Sequence, residues 1–288
     1  MLTLQAHAKI NLNLFVTGRD ANGMHTLFTV MQSVSSADTV SVARAACGGI
    51  TVTCDVPELA GEHNIAHAAA TAFLRCVNAA GDSLRIHIQK HVPAAAGLGG
   101  GSADAAAVLL ACNRLYQNPL SNARLQALAA GLGADVPFCL VGGTARCTGT
   151  GAQVDPLPPL PDWPIVLVKP CEKTSTGEMY RRLDANKGLP NTDVCDKINW
   201  LACESLSGVC QQLHNDFLPL WHHSPVPAVM DRLHQLGAAG VSLTGSGPTV
   251  FALFQTQAQA QSAAEVLRRD WPYCMEASLC AAGCEFID

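Results

Sequence analysis

The chain has 288 residues, 49% hydrophobic and 14% charged, with a formal net charge of -5; that is enough to bury one large core or two ordinary ones. No run of Lys or Arg exceeds two residues, which excludes the basic footprint of a nucleic-acid binder. No stretch approaches the roughly 20 uninterrupted apolar residues of a membrane span, and the opening MLTLQAHAKINLNLFV, interrupted by Lys9, does not read as a secretory leader. Thirteen scattered cysteines without a CxxC pair predict reduced thiols in a cytoplasmic protein.

In chain order, Leu2 to Ala8, Asn11 to Thr17, His25 to Val34 and Thr39 to Ala43 are short apolar and β-branched segments, punctuated by Gly18 and the turn Asp20-Ala21-Asn22-Gly23. They predict a β-rich opening. Residues 64 to 80 keep Ile65, Ala68, Ala69, Ala72, Phe73 and Cys76 at helical spacing. Ser83 to Gln89 alternates as a strand with Leu84, Ile86 and Ile88 on one face, and leads into PAAAGLGGGSADAAAVLLA, where a glycine run opens a helix to about Tyr116. Ser121 or Asn122 caps a further helix ending near Gly131, and residues 132 to 137 predict a tight, turn-rich link.

Proline concentrates in DPLPPLPDWP, which predicts a boundary between a domain of residues 1–160 and one of residues 161–288. Beyond it, strands are predicted at Ile165 to Lys169, Val241 to Thr244, Thr249 to Phe254 and near Cys274 to Leu279. Helices are predicted at Thr176 to Leu183, Val226 to Leu236 and Thr256 to Arg269. A β-α-β-β-α-β order of this kind fits a ferredoxin-like second domain.

A strand, a glycine loop and a helix N-terminus together make an anion site, because free N–H groups leave the first turn and the dipole places about half a positive charge there. Ser102 is expected to cap the helix and to offer its hydroxyl to a phosphate oxygen or to Mg²⁺. Neither a GxxxxGK[ST] loop nor a complete dinucleotide fingerprint is present. On these residues alone two readings stay open: a phosphate cradle, or glycines that let the helix pack closely on the strand.

The run PAAAGLGGGSADAAAVL resembles the phosphate loop of the GHMP small-molecule kinases. Its GGGSADAA form is similar to that of the branch acting on a CDP-linked methylerythritol. AHAKINLNLFVTGRDANGMHTLFTVMQSV, LGADVPFCLVGGTARCTGTG and VSLTGSGPTVFALF resemble three further motifs of that branch, in the same order. The likeness reaches to about Phe254 and is weakest over residues 184 to 235. It implies an α+β fold of two domains, ribosomal S5-like and then ferredoxin-like, with the active site between them. It also implies transfer of the γ-phosphate of ATP, with Mg²⁺, to the 2-hydroxyl of the methylerythritol part of a small-molecule acceptor, in the non-mevalonate route to isoprenoids. No nucleic-acid, membrane or oligomeric partner is implied. A homoserine, mevalonate or sugar kinase of the same superfamily is one rival, and a non-catalytic sensor another. The conjunction of GGGSADAA, GMH and GADVP counts against the first, and retention of both Lys9 and Asp135 against the second.

The resemblance assigns roles residue by residue. Asp135 would accept or orient the acceptor hydroxyl proton, and Lys9 would stabilise the transferring phosphoryl group. Pro93, Ala94, Ala95, Ala96, Gly97, Leu98, Gly99, Gly100, Gly101, Ser102 and Ala103 would surround the ATP phosphates, with Asn64 on the adenosine side. Asn11 would hold the acceptor and His25 the cytosine. Met24 stands where the family has an aromatic residue, which exchanges stacking for a softer thioether contact. Tyr180 is expected to supply an aromatic ring from the second domain, and Gly245, Ser246 and Gly247 to close over the acceptor. Asp104 is expected in the first helical turn, complementing the dipole or helping to organise Mg²⁺, and no dedicated metal ligands are assigned.

Overall fold

The computed structural model describes residues 1–173, 175–186 and 205–287. Strands β1 (Leu2–Arg19) and β2 (His25–Ala45) form one long antiparallel hairpin, so the four short strands expected in the opening are two long ones. At its tip Asp20 Oδ1 accepts from the N–H groups of Asn22 and Met24, each at 2.9 Å. Lys9 reads as a break between the first two segments, yet it is buried within the strand together with Asn11 and Asn13. Register shifts between His7 and Lys9 and between Asn11 and Asn13 re-aim these side chains while the ladder continues.

Strand β3 (Ile50–Cys54) runs parallel to β4 (Ser83–Gln89), with helix α1 (Ile65–Cys76) in the crossover. Helices α2 (Gly100–Leu115), α3 (Asn122–Ala130) and α4 (Val136–Val141) follow, and a hairpin of β5 (Thr144–Thr148) and β6 (Gln153–Pro156) extends the sheet through β2. Alanines keep the α1 and α2 backbones close: Ala66, Ala69, Ala70, Ala103, Ala106 and Ala107 are all buried in one core.

Three local expectations change. Gly99, not Ser102, is the N-cap of α2, because its left-handed backbone (φ 71°) ends the loop and lets the helix begin at Gly100. Asp104 is consequently the fifth helical residue and lies beyond the first turn. Residues 132 to 135 form the expected turn, but Val136 and Pro137 already belong to α4, since a proline in the first two helical positions loses no hydrogen bond through its missing N–H.

The second sheet has the antiparallel order β11 (Cys274–Ser278), β7 (Pro164–Val168), β10 (Val250–Leu253), β9 (Gly240–Leu243). In chain order this is fourth, first, third, second, the ferredoxin-like arrangement. Around it lie α5 (Thr176–Asn186), α6 (Leu206–Gln211), α7 (Val226–Gln235) and α8 (Gln257–Leu267), the last started by a Thr256–Gln259 capping box. The expected boundary at 160/161 leaves two later strands that belong to the first sheet: β8 (His214–Asn215) and β12 (Cys284–Phe286) both pair with β1.

Strand β1 is the common spine of the molecule. Leu4 and Ala6 enter the first core, Leu14 and Val16 the second, and Ala8, Ile10 and Leu12 a third that includes Ile165, Leu167, Phe251 and Leu253 of the second sheet. That third core fixes the two sheets against each other and places Lys9 and Asn11 at their junction. Among the described residues no helix is long and apolar enough to cross a membrane.

Candidate active site

A cavity of about 540 Å³ opens where the two sheets meet. Its walls include Lys9, Asn11, Asn64, Asp135, Tyr180, Gly245, Ser246 and the whole run from Pro93 to Ser102. Ala103, Met24, His25 and Gly247 lie off those walls. Ala103 is fully buried beneath the loop, and Met24 is 60% exposed at the hairpin tip.

Asp135 occupies the N-cap position of α4 but makes no capping hydrogen bond. Its Oδ2 instead lies 3.4 Å from Lys9 Nζ, in a pair whose lysine side chain is 3% exposed and whose aspartate is 30% exposed. Lys9 Nζ also donates to Asn11 Oδ1 at 2.8 Å and to Gly97 O at 3.1 Å, so two hydrogen bonds hold the ammonium beside the Asp135 charge. The ammonium is held rigidly while the carboxylate keeps an open face. Asn11 is the junction piece: its Oδ1 also accepts from the Gly245 N–H at 2.9 Å, and its Nδ2 donates to Thr29 Oγ1 at 2.8 Å. Its amide orients Lys9 and anchors the second glycine loop.

The two readings of the first glycine run divide by residue. A Cβ on Gly97 would stand 2.5 Å from Thr244 O, and its φ of 82° disfavours a side chain, so Gly97 serves the packing of one glycine loop on the other. A Cβ on Gly99 would stand 2.9 Å from Lys9 Cγ. Gly101 differs, because its Cβ would meet nothing closer than Ile65 Cγ2 at 3.7 Å. The free N–H groups at the start of α2 face this open side of the loop, where an anion fits.

Asp104 does not serve the dipole: its Oδ2 is engaged by Lys90, while its Oδ1 is buried without a hydrogen-bond partner among the described residues. Lys90 Nζ donates to Asp104 Oδ2 at 2.9 Å and also to Asp38, whose other oxygen accepts from the N–H groups of His91 (2.6 Å) and Val92 (2.8 Å). Burial, and next the Asp38 charge, push the Asp104 carboxyl up to about 7, against the pull of Lys90. Among the described residues no group of three or more His, Cys, Asp or Glu is placed to hold a metal ion.

Behind Tyr180 on the cavity wall, His25 Nε2 is 2.8 Å from Asp184 Oδ1, and its ring stacks on Tyr180 with centroids 4.4 Å apart. The hydrogen bond to His25 is the main cause that holds the Asp184 carboxyl below its ordinary value. Tyr180 meets Phe217 edge-on at 4.9 Å, so one face is committed to the core and the other to His25. Asn64 caps α1, accepting from the Ala66 N–H at 2.8 Å, while still lining the cavity. Sequence reasoning missed Lys90, Thr150, Lys173 and Asp184. Thr150 lies within LGADVPFCLVGGTARCTGTG but has no signal of its own, and for the three charged residues the only signal is charge in otherwise apolar or turn-forming surroundings.

Two family models match the chain: GHMP kinases N terminal domain over residues 64–143 and GHMP kinases C terminal over residues 222–272. The 4-diphosphocytidyl-2-C-methyl-D-erythritol kinase of Desulfitobacterium hafniense (strain Y51) is 39% identical over 267 residues, covering 91% of this chain and 90% of that protein. The chain belongs to this kinase family. The Moorella thermoacetica member is 38% identical over 277 residues, covering 94% of this chain and 96% of its own. A crystal structure of 4-(cytidine 5'-diphospho)-2C-methyl-D-erythritol kinase superposes with a TM-score of 0.78 at 33% identity, over 96% of this chain and 99% of that one. Homoserine kinase from Cytophaga hutchinsonii, at 19% identity and a TM-score of 0.77, shares the fold. The kinase family and the GHMP fold expected from the motifs are both borne out.

Proposed function

We infer that the protein transfers the γ-phosphoryl group of ATP to the 2-hydroxyl of 4-diphosphocytidyl-2-C-methyl-D-erythritol, a cytoplasmic step of the non-mevalonate route to isoprenoid precursors. The observation that carries the reading, in a chain of this family, is the Lys9–Asp135 pair facing the open side of the glycine loop. The acceptor oxygen forms a bond to the γ-phosphorus, the bond from that phosphorus to the β–γ bridging oxygen breaks, and ADP leaves. Asp135 takes the hydroxyl proton or aligns it. Lys9, fixed by Asn11 and Gly97, offsets the negative charge on the transferring group.

The start of α2 holds the donor phosphates through backbone N–H groups, with Ser102 on the cavity wall beside them and Asn64 toward the nucleoside. Since the described residues form no acidic metal cage, Mg²⁺ fits as a companion of the ATP phosphates, with the Ser102 hydroxyl as the protein group at hand. When bound it supplies further charge compensation. His25 and Tyr180 mark the cytosine end, where Met24 offers a thioether edge.

A coupled ADP-release assay tests the reading. Turnover is expected with 4-diphosphocytidyl-2-C-methyl-D-erythritol and not with homoserine or mevalonate; the reverse pattern rejects it.

A further inference from the structure

Lys173 reaches the cavity from the segment between β7 and α5. Its Nζ donates to Ser246 Oγ at 3.1 Å and to Thr176 Oγ1 at 3.2 Å, both uncharged. Lys9, Lys90 and Lys169 each have a carboxylate as ion-pair partner, whereas among the described residues Lys173 has none. A half-buried ammonium lacking a protein anion is costly, unless the ligand brings the anion.

Position narrows what that anion is. Thr176 and Tyr180 are one turn apart on α5, and Tyr180 stacks on His25 at the cytosine end. Ser246 follows Gly245, whose N–H is bonded to Asn11 beside the Lys9–Asp135 pair. Lys173 therefore stands between the nucleobase end and the reacting end, on the acceptor side. In the proposed acceptor, the groups between cytidine and methylerythritol are the two phosphates.

We propose that Lys173 is a substrate-binding residue whose ammonium holds the diphosphate of the acceptor, an inference that rests on the kinase reading above. The charged groups around it are Lys9 on β1, Asp135 at the start of α4 and Lys169 at the end of β7. Burial first, and repulsion from Lys9 next, lower the Lys173 amine to about 8. Binding of the diphosphate is therefore strongest below that pH, and weakens as the amine loses its proton above it.

The test uses the full chain as Lys173→Met and Lys173→Arg, with ATP and 4-diphosphocytidyl-2-C-methyl-D-erythritol. Lys173→Met is expected to raise the acceptor KM about ten- to hundred-fold, the usual worth of a hydrogen bond to a charged group, and to leave the ATP KM in place. In the unaltered protein the acceptor kcat/KM falls as pH rises through about 8. Lys173→Arg, charged throughout, is expected to keep the acceptor KM and to lose that fall. An unmoved acceptor KM in Lys173→Met, or a rise confined to the ATP KM, overturns the proposal. If the Met variant does not fold, an unchanged pH profile in Lys173→Arg overturns it instead. Absence of turnover by the unaltered protein overturns the function as well, whereas turnover with an unmoved acceptor KM overturns only the role of Lys173.

Discussion

Two buried lysines flank the first glycine loop, and their settings differ. Lys9 pairs with one aspartate that is partly open to the cavity, while Lys90 is shared by Asp38 and Asp104, whose side chains are 0% and 3% exposed. Both lysines line the same cavity. The first cluster leaves a partly exposed carboxylate edge free for chemistry; in the second both carboxylates are buried and tie the strand entering the loop to the helix leaving it. A buried ion pair is thus not in itself a sign of catalysis. What separates the two is how far the carboxylate is open to the cavity: 30% exposed for Asp135 against 3% for Asp104.

The largest effect that sharpens this contrast is on rate. Asp135→Ala is expected to lower kcat by about 10²- to 10⁴-fold, with ATP affinity and unfolding midpoint close to the unaltered protein. Steady-state kinetics beside ATP binding and a urea titration check it, and a near-normal kcat removes Asp135 from the mechanism. Asp38→Ala is expected to show the opposite signature. It leaves Lys90 with Asp104 alone and frees the His91 and Val92 N–H groups, so stability falls by about 2–5 kcal/mol in urea unfolding, while molecules that remain folded keep their kcat. A large loss of kcat without loss of stability would erase the distinction.

The smallest effect is on the pH dependence of stability. Because the folded Asp104 carboxyl is raised from 3.8 to about 7, its contribution is fully present below about 4 and is lost as pH rises through about 7. Asp104→Asn keeps the Lys90–Asp38 pair and removes the excess charge. It is expected to flatten the stability–pH curve between about 4 and 7, at little cost in stability at neutral pH. Urea midpoints collected across that range decide it.

The opened side of this comparison was legible in the sequence and the closed side was not. Lys9 stands alone among uncharged residues from Met1 to Gly18, and Asp135 lies in a recognisable motif, so each drew notice before any geometry. Asp38 and Lys90 are far apart in sequence, and only the antiparallel pairing of β2 with β4 brings their ends together. Asp104 was read through the dipole because Ser102 looked like a cap; a left-handed Gly99 moved the helix start and so changed what Asp104 could be. Periodicity located most helices and the second sheet. It failed on β1 and β2, where buried polar residues imitate chain breaks, and on β12, whose three residues carry too little pattern to announce a strand. Asp184 and Lys173 were invisible for another reason: their meaning depends on partners in the other sheet.

The contact between the glycine loops has a consequence for the cavity. Thr244 Oγ1 lies 3.3 Å from Gly97 O, the Gly245 N–H is bonded to Asn11, and Gly97 tolerates no side chain between the two backbones. The Thr249 N–H also donates to Ala96 O at 3.3 Å, so swinging the two sheets apart would break hydrogen bonds at Ala96 as well as at Gly97. The two glycine loops are therefore tied into one frame where the sheets meet, and the cavity keeps its floor whether or not a ligand is present.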